Sequence, residues 1–226
     1  MIRFDHGRQA IVAALNLAGA AKIREDDLAT AEVLLVRAEV LLRESRGKVG
    51  GVDPGVHETT GMQRLQAVTL NNTACVHRRA GRLDQAMRCL DDALSADAML
   101  RKRSRAQRRS ERGGGAEGKI GANASALLLN LSTVLAVLGR WDEARARAQE
   151  AVECVWSFET HWQSPHERMY AAVAGYHNLA LAQRALGEHE LAALAMSLSL
   201  SASKHFFGDR GSLSRLVSAF PVSVFG

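Results

Sequence analysis

Apolar residues recur along this chain at spacings of three and four residues, as they do on the buried face of an amphipathic helix. One such series is Leu128, Leu131, Leu135 and Leu138. A glycine follows this series directly, and glycine ends helices readily because it adopts the left-handed conformation that a Cβ penalises. The pattern therefore predicts pairs of helices that are joined by short turns.

The same pattern occurs three times, in segments 70–94, 128–152 and 176–200, which align without gaps. Each segment has an Asn nine residues before its Gly, an Ala five residues after the Gly and a small residue seven positions later. In order, these positions are Asn72, Gly81, Ala86 and Ala93; Asn130, Gly139, Ala144 and Ala151; Asn178, Gly187, Ala192 and Ser199. A degenerate copy within 7–45 keeps Ala31 and Ala38 but has Asp26 in place of the Gly. We expect each copy to be a helix hairpin that buries its apolar face only by stacking on its neighbours.

This skeleton of Asn, Gly and two small residues resembles the tetratricopeptide repeat family, and the long spacers and the "LNN" phrase at 70–72 are similar to kinesin light chain repeats. The resemblance implies an all-α fold in which antiparallel hairpins stack as a right-handed superhelix. A single domain, 1–226, is expected, with hairpins at about 7–45, 61–98, 122–157 and 166–204. A basic and Gly-rich insert would occupy 101–121 and a C-terminal capping segment 205–226, with a short helix at 213–220.

In this family the first helix of each hairpin lines a concave groove, so the resemblance implies a peptide-binding groove. The residues assigned to it are Arg24, Asn72, Cys75, Arg79, Asn130, Thr133, Asn178 and Leu181. An Asn amide both donates and accepts hydrogen bonds, so the three Asn residues would hold a peptide backbone. In the alternative interpretation, these Asn residues serve hairpin packing. The other positions in these groove rows, which include Leu17 and Val137, are mostly apolar, which favours a hydrophobic or helical ligand.

Positive charge is concentrated in one segment. The chain has a net charge of +5, whereas segment 101–112 alone contains seven Lys or Arg and one Glu. We expect a basic loop formed by Arg101, Lys102, Arg103, Arg105, Arg108, Arg109 and Arg112. In one interpretation this loop binds an acidic partner such as nucleic acid, tubulin or an anionic lipid surface. In the other it is a solvated loop without a partner.

Candidate chemistry adds little to this interpretation. Segment 113–119 fits the spacing of a phosphate-binding loop, but Ile120 stands where a Ser or Thr would ligate Mg²⁺. The three Cys residues and the histidines form no metal-binding spacing, and no catalytic arrangement is suggested. The sequence thus predicts a non-enzymatic scaffold or adaptor that binds a protein partner and needs no cofactor.

Location and assembly follow from the remaining features. The N-terminus lacks a signal-peptide pattern and no apolar run is long enough to span a membrane, so we expect a cytoplasmic protein, with cytoskeletal, ciliary or nuclear association left open. Aromatic residues cluster near the C-terminus, which predicts a homo-oligomer surface there as an alternative to a simple cap. They are Phe206, Phe207, Phe220 and Phe225.

Overall fold

The computed structural model describes residues 2–47, 56–110, 120–121, 123–157, 160–161 and 164–208. Eight helices make up almost all of this. They are α1 Ile2–Arg24, α2 Leu28–Gly47, α3 Val56–Arg79, α4 Leu83–Ser110, α5 Asn123–Val137, α6 Trp141–Trp156, α7 Pro165–Ala185 and α8 His189–Phe207. Strands β1 Ile120–Gly121 and β2 Thr160–His161 pair in parallel, with Ile120 opposite Thr160. The described chain is therefore all-helical as predicted, apart from one two-residue pairing.

The chain divides into two compact units, and the single domain over 1–226 stays a prediction. Unit 1 is Met1–Gly118 and unit 2 is Lys119–Gly226. In unit 1, α1 packs against α2 and α3 against α4, and α3 also contacts both helices of the first pair. In unit 2, α5 packs against α6 and α7 against α8, and α7 contacts both α5 and α6. Each unit thus contains two helix pairs with the same order of contacts.

The four turns that close these pairs share one geometry. Each has a residue in the left-handed conformation, namely Asp26 (φ 63°), Gly81 (φ 74°), Gly139 (φ 73°) and Gly187 (φ 80°). In each turn, the following amide donates to the carbonyl five residues earlier, at 2.8 to 3.0 Å. This hydrogen bond satisfies a carbonyl that the helix end leaves unpaired. Asp26 therefore performs the role of the glycines, so the first pair has the same turn as the other three.

Small residues lie buried where the paired helices meet. The residues five positions after each left-handed residue are Ala31, Ala86, Ala144 and Ala192, and those twelve positions after it are Ala38, Ala93, Ala151 and Ser199. All eight are buried, as the close approach of paired helices requires. Larger apolar side chains fill the spaces around them, for example Leu35 and Val76 with Ile23 in unit 1. The sequence prediction of four hairpins built on these small positions agrees with this packing.

The basic segment was predicted to be a loop, and that prediction is wrong for most of its length. Helix α4 continues to Ser110, so residues 101–110 are helical. Arg, Lys, Gln and Ala are good helix formers, and cations are favoured at the negative C-terminal end of a helix. The second hairpin therefore runs well beyond residue 98. The predicted helix at 213–220 lies outside the described residues.

No helix within the described ranges combines the length and the apolar character that a bilayer crossing requires.

Local signals account for the start of α7. Pro165 begins α7, and the Ser164 side chain accepts a hydrogen bond from the Glu167 amide at 3.1 Å. This arrangement satisfies one of the amides that the first helical turn leaves without a partner.

Candidate functional site

An Asn side chain joins the two first helices of each unit. In unit 1, Asn72 on α3 donates from Nδ2 to the Asn16 carbonyl of α1 at 3.3 Å. In unit 2, Asn178 on α7 donates from Nδ2 to the Leu129 carbonyl of α5 at 3.3 Å and to Thr133 Oγ1 at 3.2 Å. Asn16 lies ten residues before the left-handed residue Asp26, and Leu129 lies ten residues before the left-handed residue Gly139. The two hydrogen bonds therefore occupy equivalent positions in the two units. The predicted groove rows of each unit therefore lie side by side.

These hydrogen bonds give Asn72 and Asn178 a packing role inside the protein. Their amide donors are directed at the neighbouring helix, in agreement with the alternative that the sequence left open. Asn130 lies on α5, the first helix of unit 2, and is half-buried. Ligand binding by the three Asn residues stays a prediction.

Asn16 extends the polar contact of unit 1 and was not identified from the sequence. It is buried, donates from Nδ2 to Thr69 Oγ1 at 2.9 Å and to the Val12 carbonyl at 3.1 Å, and accepts from Asn72. Thr69 in turn donates to the Leu65 carbonyl at 2.8 Å. Buried polar groups that satisfy one another in this way fix the register of α1 against α3.

The two predicted basic groove residues have different surroundings. Arg79 donates from Nη1 to the Ile23 carbonyl at 2.6 Å and to Asp26 Oδ1 at 3.1 Å. The guanidinium thus binds the C-terminal end of α1 and holds α3 against the first turn. Arg24 is exposed at the end of α1. Arg79 therefore has a structural partner within unit 1, which the sequence did not indicate.

Apolar side chains on the first helices remain open to solvent. Leu17 on α1 is 75% exposed and Val137 on α5 is 61% exposed, and both occupy positions of the predicted groove rows. Leu181 and Cys75 are half-buried in the adjoining rows. Burial raises the pKa of the Cys75 thiol, and nearby Arg charges only partly oppose this shift. Cys75 is thus an apolar member of this face and not an activated nucleophile.

The outward faces of the second helices differ in character. Helix α2 exposes Val33, Val36 and Val40, and α8 exposes Leu191, Leu194 and Leu198. In each case the spacing is three and then four residues, so the three side chains share one helix face. The corresponding faces of α4 and α6 carry mostly charged and polar residues. The sequence reasoning concentrated on the first helices and missed these two apolar stripes.

A cleft of about 380 Å³ opens in unit 1 between α2 and α4, and α3 forms its floor. Its lining is mixed, and consists of Glu39, Leu42, Arg43, Gln63, Gln66, Thr69, Leu70, Asp92, Ser95, Ala96 and Met99. Glu39 and Asp92 stand on opposite walls, and Arg43 lies 3.4 Å from Glu39. Burial, followed by the negative charges of Glu39 and Asp92, raises the pKa of the Cys89 thiol. The carboxylates of Glu39 on α2 and Asp92 on α4 therefore both contribute negative charge to this cleft.

The basic residues are only partly described. Arg101 donates from Nε to Asp97 Oδ2 at 2.7 Å, and Asp97 is buried. Lys102 is exposed. The backbone of Arg103, Arg105, Arg108 and Arg109 belongs to α4, whereas Arg112 lies outside the described residues.

Of the predicted C-terminal aromatic residues, Phe206 is 37% exposed, while Phe220 and Phe225 lie outside the described residues.

Within the described ranges, no group of three or more His, Cys, Asp or Glu side chains could hold a metal ion. No protein-family model, curated protein or solved structure matches this chain.

Proposed function

We propose that this chain is a non-enzymatic interaction scaffold of the tetratricopeptide type, and that the first helices of each unit bind a peptide or helix of a protein partner. The observation that carries this proposal is the equivalent Asn bond in both units, which sets two helices side by side as one continuous face. A face that occurs twice suits a ligand that is held by repeated, similar contacts.

The assignment to the tetratricopeptide type rests on recurring geometry. The four turns have the same left-handed residue and the same amide-to-carbonyl bond. The eight small positions on the second helices are buried. Hairpins that share these features and stack through their first helices are the structural unit that the sequence resemblance implies. A right-handed superhelical stack within each unit is part of the proposal.

The ligand that fits best is apolar or amphipathic. Leu17 and Val137 provide exposed apolar surface on the proposed face, and the half-buried Leu181 adds to it in unit 2. Of the two predicted basic groove residues, Arg79 is occupied by the end of α1. An acidic peptide tail would therefore find few cations here, whereas an apolar helix face would bury surface on binding.

A displayed peptide library, selected on the full chain, supplies a defined probe. The double variant Leu17→Ser/Val137→Ser removes one exposed apolar side chain from the first helices of each unit. A selected peptide that binds either unit should therefore bind about tenfold more weakly. The matched control is Val33→Ser/Leu194→Ser, which removes similarly exposed apolar side chains from second helices. Fluorescence anisotropy measures both affinities, and circular dichroism checks that helicity is unchanged.

The control decides between faces. Weakening by the first-helix variant alone supports the proposed groove. Equal affinity of the first-helix variant and the wild type, or weakening by the control alone, contradicts it and assigns binding to the second helices.

A second candidate function is binding to nucleic acid or another acidic surface through the basic end of α4. The favouring observation is that residues 101–110 are helical, because 101, 105 and 108 then recur at the spacing of one helix face. Binding to a DNA duplex should fall steeply with added salt and should vanish when the seven basic residues are replaced by Gln. Salt-insensitive binding would rule this function out.

A further inference from the structure

Helix α4 carries an exposed stripe with the spacing of a coiled-coil seam. Its members are Arg88, Asp92, Ser95, Met99 and Lys102, separated by four, three, four and three residues. All five are exposed, and Met99 is exposed to 61% although it is apolar. Alternation of four and three is the spacing at which two helices face each other along a shared seam.

The order of residues along this seam complements itself when it is reversed. Asp92 and Lys102 lie at equal distances from a midpoint at position 97, and so do Ser95 and Met99. An antiparallel second copy of α4 would place Asp92 opposite Lys102 and Ser95 opposite Met99, twice over. Asp92 and Lys102 are about 15 Å apart along one helix, so within one chain they do not pair. The pairing is available only between copies.

The cleft of unit 1 adjoins the same seam. Asp92, Ser95 and Met99 form its α4 wall, and Glu39 stands on the α2 wall. A Lys side chain that enters between Asp92 and Glu39 would meet two carboxylates at its charged end, of which Glu39 also pairs with Arg43 at 3.4 Å. Helix α2 adds exposed Val36, which shares a helix face with Glu39 because it lies three residues before it. A second helix laid along the cleft would cover apolar surface on both walls.

The basic end of α4 selects the antiparallel arrangement. Segment 101–112 contains seven Lys or Arg, so two copies of it side by side would repel each other strongly. Antiparallel helices place these ends on opposite sides of the crossing point. In this register, positions 102 and 103 face Asp92 and Asp91 of the other copy.

We propose that two copies of this chain associate through α4, in an antiparallel two-fold contact in which Lys102 of the second copy enters the cleft between Asp92 and Glu39. The same contact occurs twice, because a two-fold interface is formed by one surface on both copies. The seam has a single apolar side chain, Met99, so the dimer is weak and depends on salt. This interaction is independent of the peptide groove on the first helices.

Sedimentation equilibrium of the full chain, over about a hundredfold range of concentration, tests the proposal, because mass action makes the dimer fraction depend on concentration. Asp92→Lys and Lys102→Asp should each raise the dissociation constant about tenfold or more, since each puts like charges together twice. The charge swap Asp92→Lys/Lys102→Asp should associate more tightly than either single variant, because opposite charges meet again at position 92, but less tightly than the wild type, because the new carboxylate at position 102 then lies beside Glu39. Glu153→Lys, an exposed site on α6, is the matched control and should leave association unchanged.

Each possible result bears on the proposal. A monomer at every concentration overturns it, and so does a dimer that ignores both single substitutions. Loss of dimer in the singles without recovery in the swap contradicts direct pairing of the two residues. Circular dichroism of each variant separates loss of association from loss of folding.

Discussion

In each unit, one ion pair joins the second turn to the second helix of the first pair. The positions of the cation and the anion in this joint are exchanged between units 1 and 2. In unit 1, Arg82 in the second turn donates to Glu32 on α2 at 2.9 Å. In unit 2, Glu188 in the second turn accepts from Arg145 on α6. The two contacts are equivalent in position. Arg82 and Glu188 each follow the left-handed glycine of the second turn, and Glu32 and Arg145 each lie six residues after the left-handed residue of the first turn. The two units thus repeat the contact while they exchange the residues that make it.

A second contact shows the same exchange within unit 2. Ser125 on α5 donates to the Ala151 carbonyl of α6 at 3.4 Å, whereas Ser199 on α8 donates to the Val173 carbonyl of α7 at 2.9 Å. The hydroxyl comes from the first helix in one pair and from the second helix in the other. In unit 1 the same positions are apolar, for example Val12 opposite Ala38. The second helix provides a small side chain at the crossing point in all four pairs, whereas either helix can provide the hydroxyl.

The units also differ in the side chain that each second helix carries nine residues after the left-handed residue of its turn. Unit 1 has Leu35 and Leu90 there, whereas unit 2 has Ala148 and Met196. Leu90 is 0% exposed, so Leu90→Ala should lower the free energy of unfolding of unit 1 by about 2–5 kcal/mol. Urea unfolding followed by far-UV circular dichroism measures this loss.

Tryptophan fluorescence measures the unfolding of unit 2 for comparison, because all three Trp residues belong to unit 2 and unit 1 has none. Leu194→Ala, at an exposed position on α8, should change stability by no more than about 0.5 kcal/mol. A loss below about 1 kcal/mol for Leu90→Ala would mean that Leu90 does not support unit 1 as its burial indicates.

The turns provide a test in both directions. Gly139→Ala should destabilise unit 2 by about 1–2 kcal/mol through backbone strain alone, since a Cβ there would meet no atom within 4 Å. Asp26→Gly should change unit 1 by less than about 1 kcal/mol, because relief of strain offsets the lost bond to Arg79. Tryptophan fluorescence measures the first effect and circular dichroism the second. An unchanged Gly139→Ala protein would show that this turn does not require glycine.

The reversed charges of the two joints predict a smaller effect. Arg82→Glu and Glu32→Arg should each cost about 0.2–1 kcal/mol, because the pair is partly exposed. The double variant reproduces the arrangement of unit 2 and should recover most of that loss. Recovery is incomplete because Arg82 also donates to His77 Nδ1 at 2.9 Å. A double-mutant cycle in urea measures the coupling, and strictly additive losses would argue against a direct pair.

Much of the fold could be predicted from the sequence. The spacing of Asn, Gly and the small residues located the four helix pairs, because helix periodicity and turn chemistry act over a few residues. The basic end of α4 was misassigned because its charge was weighed more than its helix propensity. The parallel pairing of Ile120 with Thr160 could not be predicted, since it joins residues far apart in the chain.

The candidate site was less predictable. The sequence identified the first-helix rows, but the partners of Asn72 and Arg79 became clear only when α1 and α3 were placed together. The cleft between α2 and α4, and the apolar stripes of α2 and α8, depend on which faces the packing leaves open. A helix pattern shows which side chains share a face, but not which neighbour covers that face.

By itself, the sequence determined that the chain forms helix pairs, where each pair turns and which small residues lie at the crossing points. These properties follow from local backbone preferences and from the periodicity of the helix. The tertiary structure alone decided the division into two units, the partners of the buried polar groups and the surfaces left for binding. Such contacts join residues about fifty positions apart in the chain, as Asn16 and Thr69 are, so they arise only when the helices pack.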